Sequence, residues 1–354
     1  MPAAVTSEAL ELKVFCFVDG QTTNFGDDLN RWLWSRLQRF SLDEDDGTLL
    51  LGIGTVISQA LIPSAKKYIV LSSGVGYNAP PAGFGGTEWE ILSVRGPLTA
   101  DVLQLPPEKA IVDGAVLLRL LPECEPLPAS ERAGIVFMPH FASMPVGNWK
   151  QVCEIAGIEF LDPLADSQNT VQRIRKARLV IADAMHAAIV ADALRVPWIP
   201  VVLSPQSNSF KWLDWTLSLS LPYNPTTLPP STLLESIRCF SFRFYGEEHF
   251  LAIPTPSGAV EHYKRVRRLK SWKYWSYWRW RLKQLTCDLP MRIASSAAFR
   301  GFRKLQDSRR THRAAEHLRR VAQMPSYLSD EHVFMSKLDQ LASLLPKLLL
   351  ESND

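Results

Sequence analysis

Proton-moving and anion-holding side chains recur in this chain at one kind of place, the loop that follows a short apolar run. In NFGDDLN, residues 24–30, Asn24 is suited to cap a helix and Gly26 lets a ligand approach the backbone, while Asp27 and Asp28 set carboxylates beside helix-terminal amides. Such carboxylates can bind a sugar hydroxyl or exchange a proton; acidic first turns also simply offset the helix dipole. LGIGT and SSGVG, around Gly54 and Gly74, are glycine turns whose backbone amides could cradle a small anion. Neither completes a dinucleotide fingerprint or a Walker A loop. SVRGPLTAD places Arg95 just before a helix that Gly96 and Pro97 begin, which suits a phosphate or carboxylate, or an Asp partner that ties loops together. VDGAV adds Asp113 and Gly114, as a ligand contact or a structural turn. His140 in FMPHFAS and His186 in IADAMHAAI follow apolar runs as well, and imidazoles there can bind phosphate or act as general acid and base. Their spacing is not that of a zinc site.

The elements that must position these loops follow from periodicity. From Leu12 onward, short apolar runs alternate with segments of helical period, the pattern of a parallel α/β sheet. Strands are expected in LKVFCFV, TLLLGIG, KYIVLSSGVG, WEILSV, AIVDG, AGIVFMPH, IEFL, RLVIAD and WIPVVLS, with a helix that NFGDDLN opens and that runs through Trp32 to Phe40, and a short one in ISQALI. The Pro-rich stretch LPECEPLPAS reads as a boundary, giving Rossmann-like domains over 1–125 and 126–250 and a helical tail over 251–354. In such sheets ligands collect where strands end, and every motif named above lies at a strand end.

Bulk composition agrees. With 46% hydrophobic and 21% charged residues the 354-residue chain is globular, and five scattered cysteines suit a reducing cytoplasm. The net charge of +3 conceals an asymmetry, since residues 251–354 carry about 20 Lys/Arg against about 9 Asp/Glu. Within that tail, residues 263–283 interleave Trp272, Trp275, Trp278 and Trp280 with basic residues, a composition suited to the surface of an anionic membrane. No nucleic-acid module accompanies it, so no nucleic-acid partner is expected.

In this order, NFGDDLN, LGIGT, SVRGPLTA, VDGAV and AMHAAIVADALRVPWIPV, with FKWLDW after them, resemble the polysaccharide pyruvyl transferase family, especially its exopolysaccharide-biosynthesis branch. The resemblance spans roughly residues 12–220. It implies a GT-B-type fold of two Rossmann-like domains, no metal or cofactor, phosphoenolpyruvate as co-substrate, and a sugar diol of a polysaccharide or lipid-linked oligosaccharide as acceptor. The expected site then has His186, Asp27 and Arg95 as catalytic groups, with Asn24, Gly26, Asp28, Gly54, Gly74, Asp113, Gly114 and His140 binding substrate. Many family members have an Arg two residues before the helix histidine; this chain has Ala184, leaving Arg173, Arg175 or Lys211 to supply the charge. A cytoplasmic enzyme at the inner face of the plasma membrane is the expectation. A nucleotide-sugar glycosyltransferase is the alternative, and a non-catalytic scaffold a third reading.

Overall fold

The computed structural model describes residues 13–18, 23–37, 47–270, 282, 286 and 288–350. Its strands form two sheets, and every named pair is parallel, as the alternation of apolar runs and helices requires. The first holds β1 (Lys13–Val14), β2 (Thr48–Leu51), β3 (Lys67–Ser73) and β4 (Trp89–Val94) in sequential order. The second holds β5 (Ala133–Met138), β6 (Glu159–Phe160), β7 (Ala177–Ala182), β8 (Trp198–Val202) and β9 (Thr226–Thr227), ordered β6-β5-β7-β8-β9. This is the α/β architecture of two Rossmann-like domains. In the second sheet the chain goes one way from β5 to β6 and the other way from β6 to β7, so the loops after β5 and β7 part and leave a crevice between them.

The helices accompanying the two sheets include α1 (Phe25–Asp28), α2 (Leu33–Leu37), α3 (Pro97–Leu103), α4 (Trp149–Ala156), α5 (Ser167–Lys176), α6 (Met185–Ala193), α7 (Ser209–Ser218), α8 (Leu233–Phe244) and α9 (Pro256–Lys270), of which α1, α6 and α7 border the crevice. Pro97 takes the first position of α3, where its missing N–H costs nothing. Helix α6, MHAAIVADA, is apolar nearly all round and buried everywhere except at His186. It packs against β7, β8 and the 3₁₀ segment Gly114–Leu120, so it joins the two halves of one continuous apolar core.

Two expected helices differ. ISQALI forms turns, because Ser58 receives the amides of Leu61 and Ile62 on its carbonyl and Gln59 N–H is drawn to Ala79 O in the neighbouring loop. The segment after Asn24 breaks at Trp32, whose indole reaches across to Ser167 Oγ at 2.8 Å. Beyond the two sheets the described residues are mainly helical and pack back on both. Helix Arg300–Val321 lies on α4, and helix Glu331–Ala342 sends Phe334, Leu338 and Leu341 into the shared core. Helix α9 packs on α7 through stacked Phe210 and Tyr263. Trp272, Trp275, Trp278 and Trp280 lie outside the described residues. Among the described residues no helix is long and apolar enough to cross a membrane.

Candidate functional site

The loops after β1, β2, β3, β5, β6, β7 and β8 converge on a cavity of about 470 Å³, within the range of small-molecule sites. Asn24, Gly26, Asp27, His140, Ala184, His186 and Lys211 all line it.

The loop after β1 is built by its own residues. Asn24 caps α1 through its Oδ1, which receives the amides of Gly26 (3.1 Å) and Asp27 (3.2 Å), and its Nδ2 donates to the Asp27 carboxylate. Phe25 N–H bonds Pro163 O at 2.8 Å and pins this loop to the second sheet. Gly26 is required here for space: a Cβ on it would lie 1.8 Å from His186 Nδ1, so the imidazole of one half rests on the bare Cα of the other. Burial pushes the Asp27 carboxyl above the usual carboxylate range, with His186 and the Asn24 hydrogen bond pulling it back in part.

Behind His186 stands Asp113. Its Oδ1 caps the Gly114–Leu120 segment at Ala115 N (3.0 Å), while its Oδ2 faces His186 Nε2 at 3.8 Å. Neither of those two facing atoms has a hydrogen-bond partner among the described residues. A small rotation of the ring would close that gap, directing Nε2–H to the carboxylate and leaving Nδ1 on the Gly26 side.

His140 serves differently from His186. Its Nδ1 receives Ala142 N–H at 3.3 Å, which puts the neutral ring's proton on Nε2. Although the side chain keeps an exposed edge, desolvation by the surrounding protein, together with Lys211, Arg238 and His186, pushes its pKa down to about 3. It is therefore a neutral donor at physiological pH. The loop carrying it is held by Asp183, which the sequence reading passed over: Asp183 accepts from His140 N (3.0 Å), Leu203 N (3.3 Å) and Ser207 Oγ (2.9 Å). Burial raises Asp183 to about 6 despite these bonds. Its place at the end of β7, one residue before Ala184, was the available signal.

The three cations weighed against Ala184 lie in different places. Arg173 is engaged by Glu159 and Phe160 O, and Arg175 by Glu125 O. Lys211 instead lines the cavity, its Nζ 5.0 Å from the Tyr77 ring centroid. The first turn of α6, whose leading amides have no acceptor within the helix, borders the same space.

Arg95 is placed elsewhere than expected. It is fully buried, donating from Nε to Asp214 Oδ2 (2.9 Å), from Nη1 to Thr55 Oγ1 (2.9 Å) and from Nη2 to Val75 O (2.7 Å). Every guanidinium nitrogen is thus taken by protein, and Arg95 braces the β4–α3 loop against α7, one residue behind the cavity wall at Thr55. Gly74 makes room for that guanidinium, since a Cβ there would come 2.4 Å from Arg95 Cζ. Gly54, at φ +110°, backs Asp27, and Gly74 N–H bonds Gly54 O at 3.0 Å, so the two glycine turns bind each other. Asp28 turns away from the cavity to Ser167 Oγ (2.7 Å). Asp113 and Gly114 are buried behind His186, and Gly114 packs on Ile53 and Ser72.

The sequence is 40% identical over 238 residues to the succinoglycan biosynthesis protein ExoV of Rhizobium meliloti (strain 1021), covering 67% of this chain and 74% of that protein. The chain belongs to the ExoV family. It is thereby a homologue of an exopolysaccharide-biosynthesis protein. No family model matches it, and neither does any solved structure.

Proposed function

We propose that this member of the ExoV family transfers pyruvate from phosphoenolpyruvate to a sugar diol of an exopolysaccharide or its lipid-linked repeat, forming a cyclic ketal and releasing phosphate. The observation that carries the reading is the meeting of Asp27 and His186 across Gly26, with Lys211 in the same cavity. A carboxyl that burial keeps inclined to hold its proton is suited to protonate the enol methylene, giving an oxocarbenium-like carbon. The first sugar hydroxyl attacks that carbon, and its proton returns to Asp27. The second hydroxyl attacks the same carbon as the carbon–oxygen bond to phosphate breaks. His186 takes that hydroxyl's proton and passes it to the departing phosphate. Lys211, neutral His140 and the leading amides of α6 offset the charge of phosphate and carboxylate. Asp113 positions His186, and Arg95 and Asp214 hold the wall behind Thr55.

Anionic-membrane contact belongs to this reading, because the acceptor would be carried on lipid. The test is incubation with phosphoenolpyruvate and a synthetic or lipid-linked acceptor, following phosphate release and the mass of the sugar product. Equimolar phosphate and pyruvyl ketal are expected. Turnover with a nucleotide sugar and none with phosphoenolpyruvate would replace this reading with glycosyl transfer.

A further inference from the structure

A second groove adjoins the cavity. Gln59, Ala60, Asn78 and Ala79, from the loops after β2 and β3, form one wall, and Lys264, Arg267 and Arg268 of α9 form the other. The groove is about 580 Å³, and Asn78 lines both it and the candidate active site. The junction is fastened, since Tyr263 Oη on α9 donates to Asn78 O at 2.8 Å. We propose that this groove holds the diphosphate of the acceptor while its sugar occupies the neighbouring cavity, a placement that rests on the sugar-acceptor reading above.

Four observations support the chemistry. Positions 264, 267 and 268 are spaced i, i+3, i+4, so their side chains share one face of the helix. From Lys264 to Arg268 the helix rises roughly 6 Å, close to the reach of two linked phosphoryl groups. The groove is also one-signed. Lys264 and Arg268 stand on a ridge shared with a second groove in which Asp101 and Glu261 provide carboxylates, whereas among the described residues the lining toward Gln59 and Asn78 contains no acidic one. Arg267 is braced over the Tyr263 ring at 5.4 Å, which holds one cation in place ahead of binding.

The test uses the full chain, phosphoenolpyruvate and two acceptors with the same oligosaccharide, one ending in an alkyl diphosphate and one in an alkyl ether. Lys264 and Arg268 are both exposed, so Lys264→Gln and the double variant Lys264→Gln, Arg268→Gln are expected to fold as wild type. For the diphosphate acceptor KM is expected to rise roughly tenfold per cation removed, with kcat unchanged and the alkyl ether acceptor unaffected. Equal KM values for wild type and double variant on the diphosphate acceptor would overturn the assignment. Should wild type turn over neither acceptor, the pyruvyl-transfer reading fails by itself, and calorimetric titration with inorganic pyrophosphate still decides the groove. Binding by wild type and not by the double variant supports it; equal binding, or none, overturns it. Much tighter binding of uridine diphosphate than of pyrophosphate would assign the groove to a nucleotide and overturn it too.

Discussion

A methyl group at position 26 would sit 1.8 Å from His186 Nδ1, with no route for the ring except away from Gly26. Gly26→Ala is therefore expected to lower kcat by about 10² or more, the scale of a lost general acid–base group, while the unfolding midpoint stays near wild type. Wild-type turnover in this variant would separate His186 from the chemistry. His140 and Asp183 lead to a prediction about pH. His140 is held at about 3 against an ordinary 6.5, so the unfolded chain binds more protons and stability is lost as pH falls from 6.5 toward 3. Asp183, raised to about 6 from 3.8, acts with the opposite sign, contributing stability that is lost as pH rises through 6. The two oppose one another between about pH 4 and 6. His140→Gln removes the acid-sensitive partner, so its urea midpoint should fall less than that of wild type between pH 7 and pH 4.5. A steeper fall in the variant would contradict the neutral state of His140.

Between elements, the fully buried Arg95–Asp214 pair is the principal brace of the first half. Asp214 also takes Thr99 N (2.9 Å) and Thr99 Oγ1 (2.5 Å), so one carboxylate on α7 anchors both the strand end before α3 and the first turn of α3. Arg95→Ala would leave that carboxylate buried with its cation gone, at a cost of about 3–5 kcal/mol. Urea titration should show this loss, and Arg95→Met with Asp214→Leu should recover much of it, because replacing both charges removes the uncompensated one. An unchanged midpoint in Arg95→Ala would return Arg95 to the role of a ligand contact. The pair also shows where sequence reading stops. Strand ends were legible because apolar runs and loop residues alternate locally, and Asp27, His140 and His186, which the alternation puts at such ends, all line the cavity. Arg95 obeyed the same local rule, but its partner is 119 positions along the chain, and only packing chooses between that partner and a ligand. Gly26 was legible as a glycine that invites close approach, while the group approaching it, His186, was not. Of Lys211, Arg173 and Arg175, which the sequence could not separate, Lys211 is the one that lines the cavity.

At the scale of the whole molecule, the described residues from Pro256 onward pack back on both halves rather than trailing from them. Tyr327 pairs with Trp198 at the start of β8, and Asp192 receives Ser329 N–H at 2.9 Å and the Trp198 indole at 2.9 Å. Helix α8 and the helices beside it expose apolar side chains. Phe240 and Phe244 stack on α8 and are 63% and 61% exposed, and the helices that pack beside α8 expose Ile293, Phe302 and Leu305. Arg243, Arg292, Arg300 and Lys304 lie on the same helices. Large exposed rings cost a protein solubility unless they meet another apolar phase, and surrounding cations select an anionic one. The protein is accordingly expected to sediment with vesicles containing phosphatidylglycerol and to stay in solution with neutral phosphatidylcholine. Phe240→Ser with Phe244→Ser should reduce the bound fraction by about half or more, since two aromatic insertions are lost, and should leave turnover of a soluble acceptor unchanged. Raising salt should release wild type as well, because the cations contribute through a screened surface potential. Sedimentation that ignores both lipid charge and the two phenylalanines would detach this face from the membrane and leave the acceptor to reach the cleft from solution.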